Sequence, residues 1–241
     1  MDERTTDQRY TEYITQGEID VRNEHYAAAI HNFTAALAQD SHDGRVYFLR
    51  GRAYAGGGHY AQAIVEYREA ILREYAPAEV YFHLGVAYQY SYDEAEQAIV
   101  HYTQAIARDA TYVDAYFNRG LAYFDEVGDC ARAIADFTQV VALSSATDEA
   151  YYMRGWAQRA QGAYEAAIAD FTHALEANPD NLGALYHRGE TYKQMGRHHE
   201  AVTDFQTYIQ READPRAQHW AKKALLELGE PPIRPGESMS S

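Results

Sequence analysis

The stretch Ala150-Tyr151-Tyr152-Met153-Arg154-Gly155, followed by Tyr164, Ala167-Ile168, Asp170-Phe171, Ala174-Leu175 and Pro179, decides the fold. Its pattern recurs along the chain. Gly17, Gly51, Gly85, Gly120, Gly155 and Gly189 are separated by 34, 34, 35, 35 and 34 residues. Twelve residues after each glycine, thirteen in the two longer units, stands an alanine: Ala29, Ala63, Ala98, Ala133, Ala167, Ala201. Four residues further comes an aromatic: Phe33, Tyr67, Tyr102, Phe137, Phe171, Phe205. Four residues before the glycine stand Tyr13, Tyr47, Tyr81, Tyr116, Tyr151 and Leu185. A fixed period of this length marks a repeat architecture.

The residue types have a physical reason. Positions −4, 0 and +3 around the glycine share one face of a helix. A glycine inside a helix costs about 1 kcal/mol relative to alanine, so its recurrence points to close approach of a second helix. The reading has the small alanine of that second helix meet the glycine, with the following aromatic covering the joint. Turn residues lie between the two helices: Gly56-Gly57-Gly58, Gly128-Asp129, Gly162 and Gly196. Each unit is a helix-turn-helix pair that must stack on its neighbours to bury its apolar face.

These residues closely resemble the tetratricopeptide repeat. The likeness covers about residues 10–215. It departs at the proline closing the second helix, present only as Pro179 and replaced elsewhere by Ser41, Tyr75, Ala110, Ser145 and Ala213. It also departs in units three and four, whose extra residue is expected in the turn between helices. The resemblance implies an all-α fold: a right-handed α-solenoid of six tandem repeats, one continuous superhelix. The period sets the repeats at 10–43, 44–77, 78–112, 113–147, 148–181 and 182–215. Residues 216–229 read as a capping helix, with Trp220, Ala221, Ala224, Leu225 and Leu228 on its apolar face. This makes thirteen helices. Residues 1–9 and 230–241 are polar or Pro/Gly/Ser-rich and are expected to be disordered.

The 241 residues carry 36 acids and 21 bases, a formal charge of −15, which speaks against nucleic acid and anionic membranes as partners. With 46% hydrophobic residues the chain can bury a core. The single Cys130 excludes an internal disulfide framework. The start of the chain has no secretory signal pattern and no run is long and apolar enough to span a bilayer, so a soluble, cytoplasmic protein is expected. No phosphate loop, nucleophile elbow or HExxH motif occurs. His187, His198, His199 and Glu200 read as a solvated turn rather than a metal site, and no cofactor is expected. The protein is not read as an enzyme.

In the resembling family, first helices line a concave groove where ligands bind. The corresponding rows here lie at −6, −3, +1 and +4. They supply the candidate groove residues Glu79, Phe82, Val86, Asp114, Phe117, Leu121, Phe124, Glu149, Tyr152, Trp156 and Arg159, to which Asn118, at −2, is added. Residues 78–149 hold 12 acids and 3 bases, a net of −9. The expected partner is therefore a protein or peptide segment that combines apolar side chains with Lys or Arg. Glu79, Asp114 and Glu149 would repel the carboxylate that co-chaperone modules of the family grip. The expected function is a non-catalytic scaffold or adaptor, with a monomer favoured. The alternatives are a self-associating structural protein, pairing through its inner or C-terminal surface, and a regulatory subunit or peptide sensor of an enzyme complex.

Overall fold

A computed structural model describes residues 3–92, 94–144 and 148–230. Among these it contains thirteen α-helices and no strand. They are α1 (Glu3–Arg22), α2 (Tyr26–Leu37), α3 (Gly44–Gly56), α4 (Tyr60–Leu72), α5 (Ala78–Tyr92), α6 (Ala95–Arg108) and α7 (Val113–Leu121), which runs into a π-helical turn at Ala122–Val127. There follow α8 (Cys130–Leu143), α9 (Asp148–Ala160), α10 (Tyr164–Ala177), α11 (Leu182–Gln194), α12 (His198–Arg211) and α13 (Pro215–Glu227). Contacts divide the chain into two compact bodies, Met1–Val127 and Gly128–Ser241. Within each body, helices adjacent in sequence pack side by side.

The glycines work more directly than the sequence suggests. A Cβ on Gly51 would lie 2.6 Å from the Tyr67 ring, one on Gly85 2.7 Å from Tyr102, and one on Gly189 3.0 Å from Phe205. The aromatic of the second helix therefore lies on the glycine itself, beside the fully buried alanine. Contact at that distance leaves no room for a methyl group.

A second device ties the helices together. Arg154, next to Gly155, donates from Nε and a terminal nitrogen to both carboxylate oxygens of Asp170, each at 2.7 Å. It also donates to Thr138 Oγ1 of the preceding second helix at 3.3 Å. Arg188 repeats this with Asp204 (2.8 Å twice) and Thr172 (3.1 Å). Arg50 does so with Glu66 (2.9 Å twice) and Thr34 (3.1 Å). One guanidinium thus joins three helices through a bidentate fork, the strongest form of carboxylate pairing. Unit three replaces the ladder: Leu84 takes the arginine position and is buried, while His101 stacks on Tyr88 at 5.2 Å.

Three expectations change. Helix α1 begins at Glu3, so residues 3–9, expected to be disordered, form its first turns, and the i to i−4 bond from Thr11 Oγ1 to the Asp7 carbonyl belongs to them. The remaining terminal expectations, at 1–2 and 231–241, fall outside the described residues. The extra residue of unit four is absorbed in the first helix as the π turn, not in the connection after it. A π turn keeps the helix hydrogen-bonded while inserting one residue. On α13, Ala221, Ala224 and Leu225 are buried as expected, whereas Trp220 is 60% exposed.

In four units the described turn between the two helices uses a left-handed glycine: Gly58 (φ 78°), Gly128 (72°), Gly162 (86°) and Gly196 (74°). In unit one that position is Glu24, with φ 60°. A side chain in this region costs about 1–2 kcal/mol, of which glycine's extra freedom in the unfolded chain returns about half. Glu24→Gly is accordingly expected to stabilise the protein by about 0.5–1 kcal/mol in urea denaturation. A loss of stability would show that the Glu24 side chain holds the turn.

Candidate functional site

The rows at −6, −3, +1 and +4 fall on the first helices, as their spacing requires. In the N-terminal body, Phe82 on α5 is half-buried, its ring 5.9 Å from Tyr102 and 5.2 Å from Tyr112. Val86 packs one turn further along the same cluster. Glu79 has partners within the fold: Arg52 at 3.6 Å and His83 at 3.7 Å. The hydrogen bond from His83 holds its carboxyl below the ordinary glutamate range, with Arg52 adding to the effect. Asp114 is exposed, and its carbonyl accepts a 2.8 Å bond from Asn118 Nδ2, which occupies the amide within its own helix. Phe117, Leu121 and Phe124 are half-buried, Phe124 lying in the π turn.

In the C-terminal body the four remaining candidates lie on α9. Glu149 is exposed. Tyr152 and Trp156 form a half-buried aromatic shelf with His187 of α11. Trp156 stacks on His187 at 5.2 Å and 21°, and Tyr152 lies 5.9 Å from the same imidazole. Gly183 makes space for Tyr152, since a Cβ there would sit 3.1 Å from the phenol ring. Burial pushes the Tyr152 hydroxyl above its usual range. It also holds His187 neutral, at a pKa of about 4, with the Arg159 charge contributing.

Arg159 approaches Glu190 at 3.7 Å, and Lys193, one turn beyond Glu190, bonds Glu227 of α13. Arg159 of α9 and Lys193 of α11 are therefore answered by carboxylates on the helix that takes the next first-helix place. In the N-terminal body a pairing runs the other way, Arg45 of α3 bonding Glu18 of the preceding first helix α1 at 2.7 Å. The charges beside Trp156 compensate each other, which leaves its aromatic surface as the main feature.

The −3 row divides. Ile14 and Phe48 are buried core residues, 8% and 2% exposed. Phe82, Phe117, Tyr152 and Tyr186 remain half-buried. The reading of His187 as part of a solvated turn is corrected: it lies within α11, its ring enclosed by aromatics. Sequence reading gave the histidines at −2, His83 and His187, no packing role, although their place in the repeat put them beside the −3 aromatics of the preceding unit. Phe48 lies 5.7 Å from His83 as Tyr152 does from His187 at 5.9 Å. Of the histidine-rich turn, Glu200 is bound by Arg197 at 2.8 Å. Among the described residues no three His, Cys, Asp or Glu side chains gather as a metal site requires. None of the described helices is long and apolar enough to cross a membrane.

One tetratricopeptide repeat model matches the chain at residues 14–79, 48–99 and 126–181, and a second such model matches 158–226. A TPR repeat model matches 90–127. Among solved structures, MamA is 26% identical, with a TM-score of 0.65 over 72% of this chain and 94% of its own. YrrB, described as a TPR protein with an unusual peptide-binding site, is 20% identical, with a TM-score of 0.64 over 73% and 90% of the two chains. The C-terminal part of a TPR repeat-containing protein from Cytophaga hutchinsonii is 21% identical, with a TM-score of 0.74 over 89% and 84%. No curated protein sequence matches.

Proposed function

The chain belongs to the tetratricopeptide repeat family, and from that premise we propose that it is a non-catalytic scaffold holding a peptide or protein segment on the faces of its first helices. The half-buried shelf of Tyr152, Trp156 and His187 is the observation that carries this reading. A half-buried aromatic ring fixed by stacking provides contact area at little entropic cost, and such residues anchor interfaces. The peptide-binding site named for YrrB supports the same reading.

The segment we propose is apolar with Lys or Arg beside it. In the N-terminal body Phe82 and Val86 supply apolar contacts, with Phe117, Leu121 and Phe124 further along the chain. Asp114 supplies charge there, and Glu149 does so at the start of α9. Glu79, already engaged by Arg52 and His83, contributes less.

Selection from a random peptide library on the immobilised protein, followed by titration of the selected peptides, tests this. Trp156→Ala is expected to weaken binding by at least about 2 kcal/mol, roughly thirtyfold. Asp114→Lys/Glu149→Lys is expected to slow association and flatten its salt dependence. Glu79→Lys alone should do so less. Unchanged affinity in folded variants of both kinds would place the interaction elsewhere on the molecule.

A further inference from the structure

Helix α13 continues the register of the repeats. Lys223 stands 34 residues after Gly189, so His219, Trp220 and Leu226 occupy positions −4, −3 and +3. In the units before it, this side of the first helix is covered by the unit's own second helix: in unit six, Phe205 lies on Gly189 and Tyr208 packs 5.4 Å from Tyr186. No helix follows α13 among the described residues. Trp220 is 60% and Leu226 62% exposed, with the Lys223 ammonium 5.7 Å from the indole. Lysine in the glycine position keeps an ordinary second helix out, because the glycines elsewhere leave no room even for a methyl group. Whatever covers this face sits farther out and accommodates the lysine stem.

We propose that the occupant is α13 of a second copy, packed antiparallel about a two-fold axis near Lys223. The charge pattern selects both occupant and direction. Exposed Arg216 makes the N-terminal end of the stripe basic and exposed Glu230 follows its C-terminal end, whereas Glu227 is engaged within the chain by Lys193 and by Lys223 at 3.9 Å. A parallel pair would set like on like. An antiparallel pair lays Trp220 of each copy on Leu226 of the other and brings Arg216 level with the partner copy's Glu230, while at the axis each Lys223 is answered by Glu227 of its own helix at 3.9 Å. The interface is isologous, as a two-fold requires. Two chains of charge −15 repel, and this is where they do so least: residues 182–241 carry 8 acids and 8 bases. One helix on one helix is a small interface, so the dimer is weak, with a Kd in the micromolar range.

Sedimentation velocity on the full chain from about 1 to 500 µM is expected to show the shift from monomer to dimer. Trp220→Ala and Leu226→Glu, both largely exposed in the single chain, are expected to leave melting unchanged and raise the dimer Kd at least about tenfold. The register is read by cross-linking in a Cys130→Ser background. Lys223→Cys forms a disulfide-linked dimer with copper–phenanthroline, which takes up the two electrons released. Arg216→Cys does not, because its two copies lie about 21 Å apart along the helix pair. A monomer throughout, a dimer indifferent to both substitutions, or cross-linking at 216 instead of 223 would each overturn the proposal.

Discussion

Replacing Arg188 by methionine is expected to destabilise the C-terminal body by about 3–5 kcal/mol. The reason lies less in the lost attraction than in what is left behind. The Asp204 side chain is 6% exposed, and both its oxygens are bonded by the Arg188 fork. Methionine fills much of the arginine's volume and donates nothing, so a carboxylate stays buried without a partner. Thr172 loses its guanidinium contact at the same time. Arg188→Met/Asp204→Leu removes the orphaned charge and should recover most of the loss, since a buried pair is often no more stabilising than well-packed apolar residues. Urea denaturation of the wild type, both single variants and the double variant forms a closed cycle, and the coupling it yields is the decisive quantity. A cost below about 1 kcal/mol for Arg188→Met would show that solvent reaches Asp204 and that the ladder contributes little.

That ladder also marks how far the sequence could be read. The fold was legible because its signals are local and repeated: glycine, alanine and aromatic at fixed spacing serve the same contact in unit after unit. The arginine before the glycine and the carboxylate before the aromatic were visible too, as Arg154-Gly155 and Asp170-Phe171, but no spacing rule states that the two meet. Their bond depends on how one helix crosses another. The same holds for His83 and His187, which acquire a role only when successive first helices lie side by side.

Two other differences arise from energetics that sequence leaves implicit. The inserted residue of unit four could enter the turn or the helix, and the π turn at Ala122–Val127 keeps more of the backbone bonded. Trp220 fits an apolar stripe on α13 by periodicity, yet the small residues Ala221 and Ala224 take the closely packed side and leave the indole outside. For the candidate binding residues, sequence placed the rows, while the partners of Glu79 and Arg159 emerged only with three-dimensional contacts. Those partners decide how much charge each residue can offer a ligand.

Acid is expected to unfold the C-terminal body through His187. Its ring is enclosed by Trp156, Tyr152, Phe171 and Tyr186, and its Nδ1 is buried without a hydrogen bond. Burial first, and the Arg159 charge second, lower its pKa from 6.5 to about 4. The sign follows from which state takes the proton first. As pH falls through 6.5 the unfolded chain protonates this histidine and the folded chain does not, so folding loses free energy steadily. The stabilisation is complete above pH 6.5, declines between 6.5 and about 4, and is constant below. A difference of this size corresponds to about 3 kcal/mol. His187→Phe keeps an aromatic ring in the stack and cannot take a proton. Its stability should therefore fall less than the wild type's over that window, the difference between the two curves shifting by about 3 kcal/mol in the variant's favour in urea titrations at several pH values. Carboxylate titrations are common to both proteins and cancel in the comparison. Parallel curves would mean that the imidazole is solvated in the folded chain and that the shelf beneath Trp156 is looser than its stacking geometry indicates.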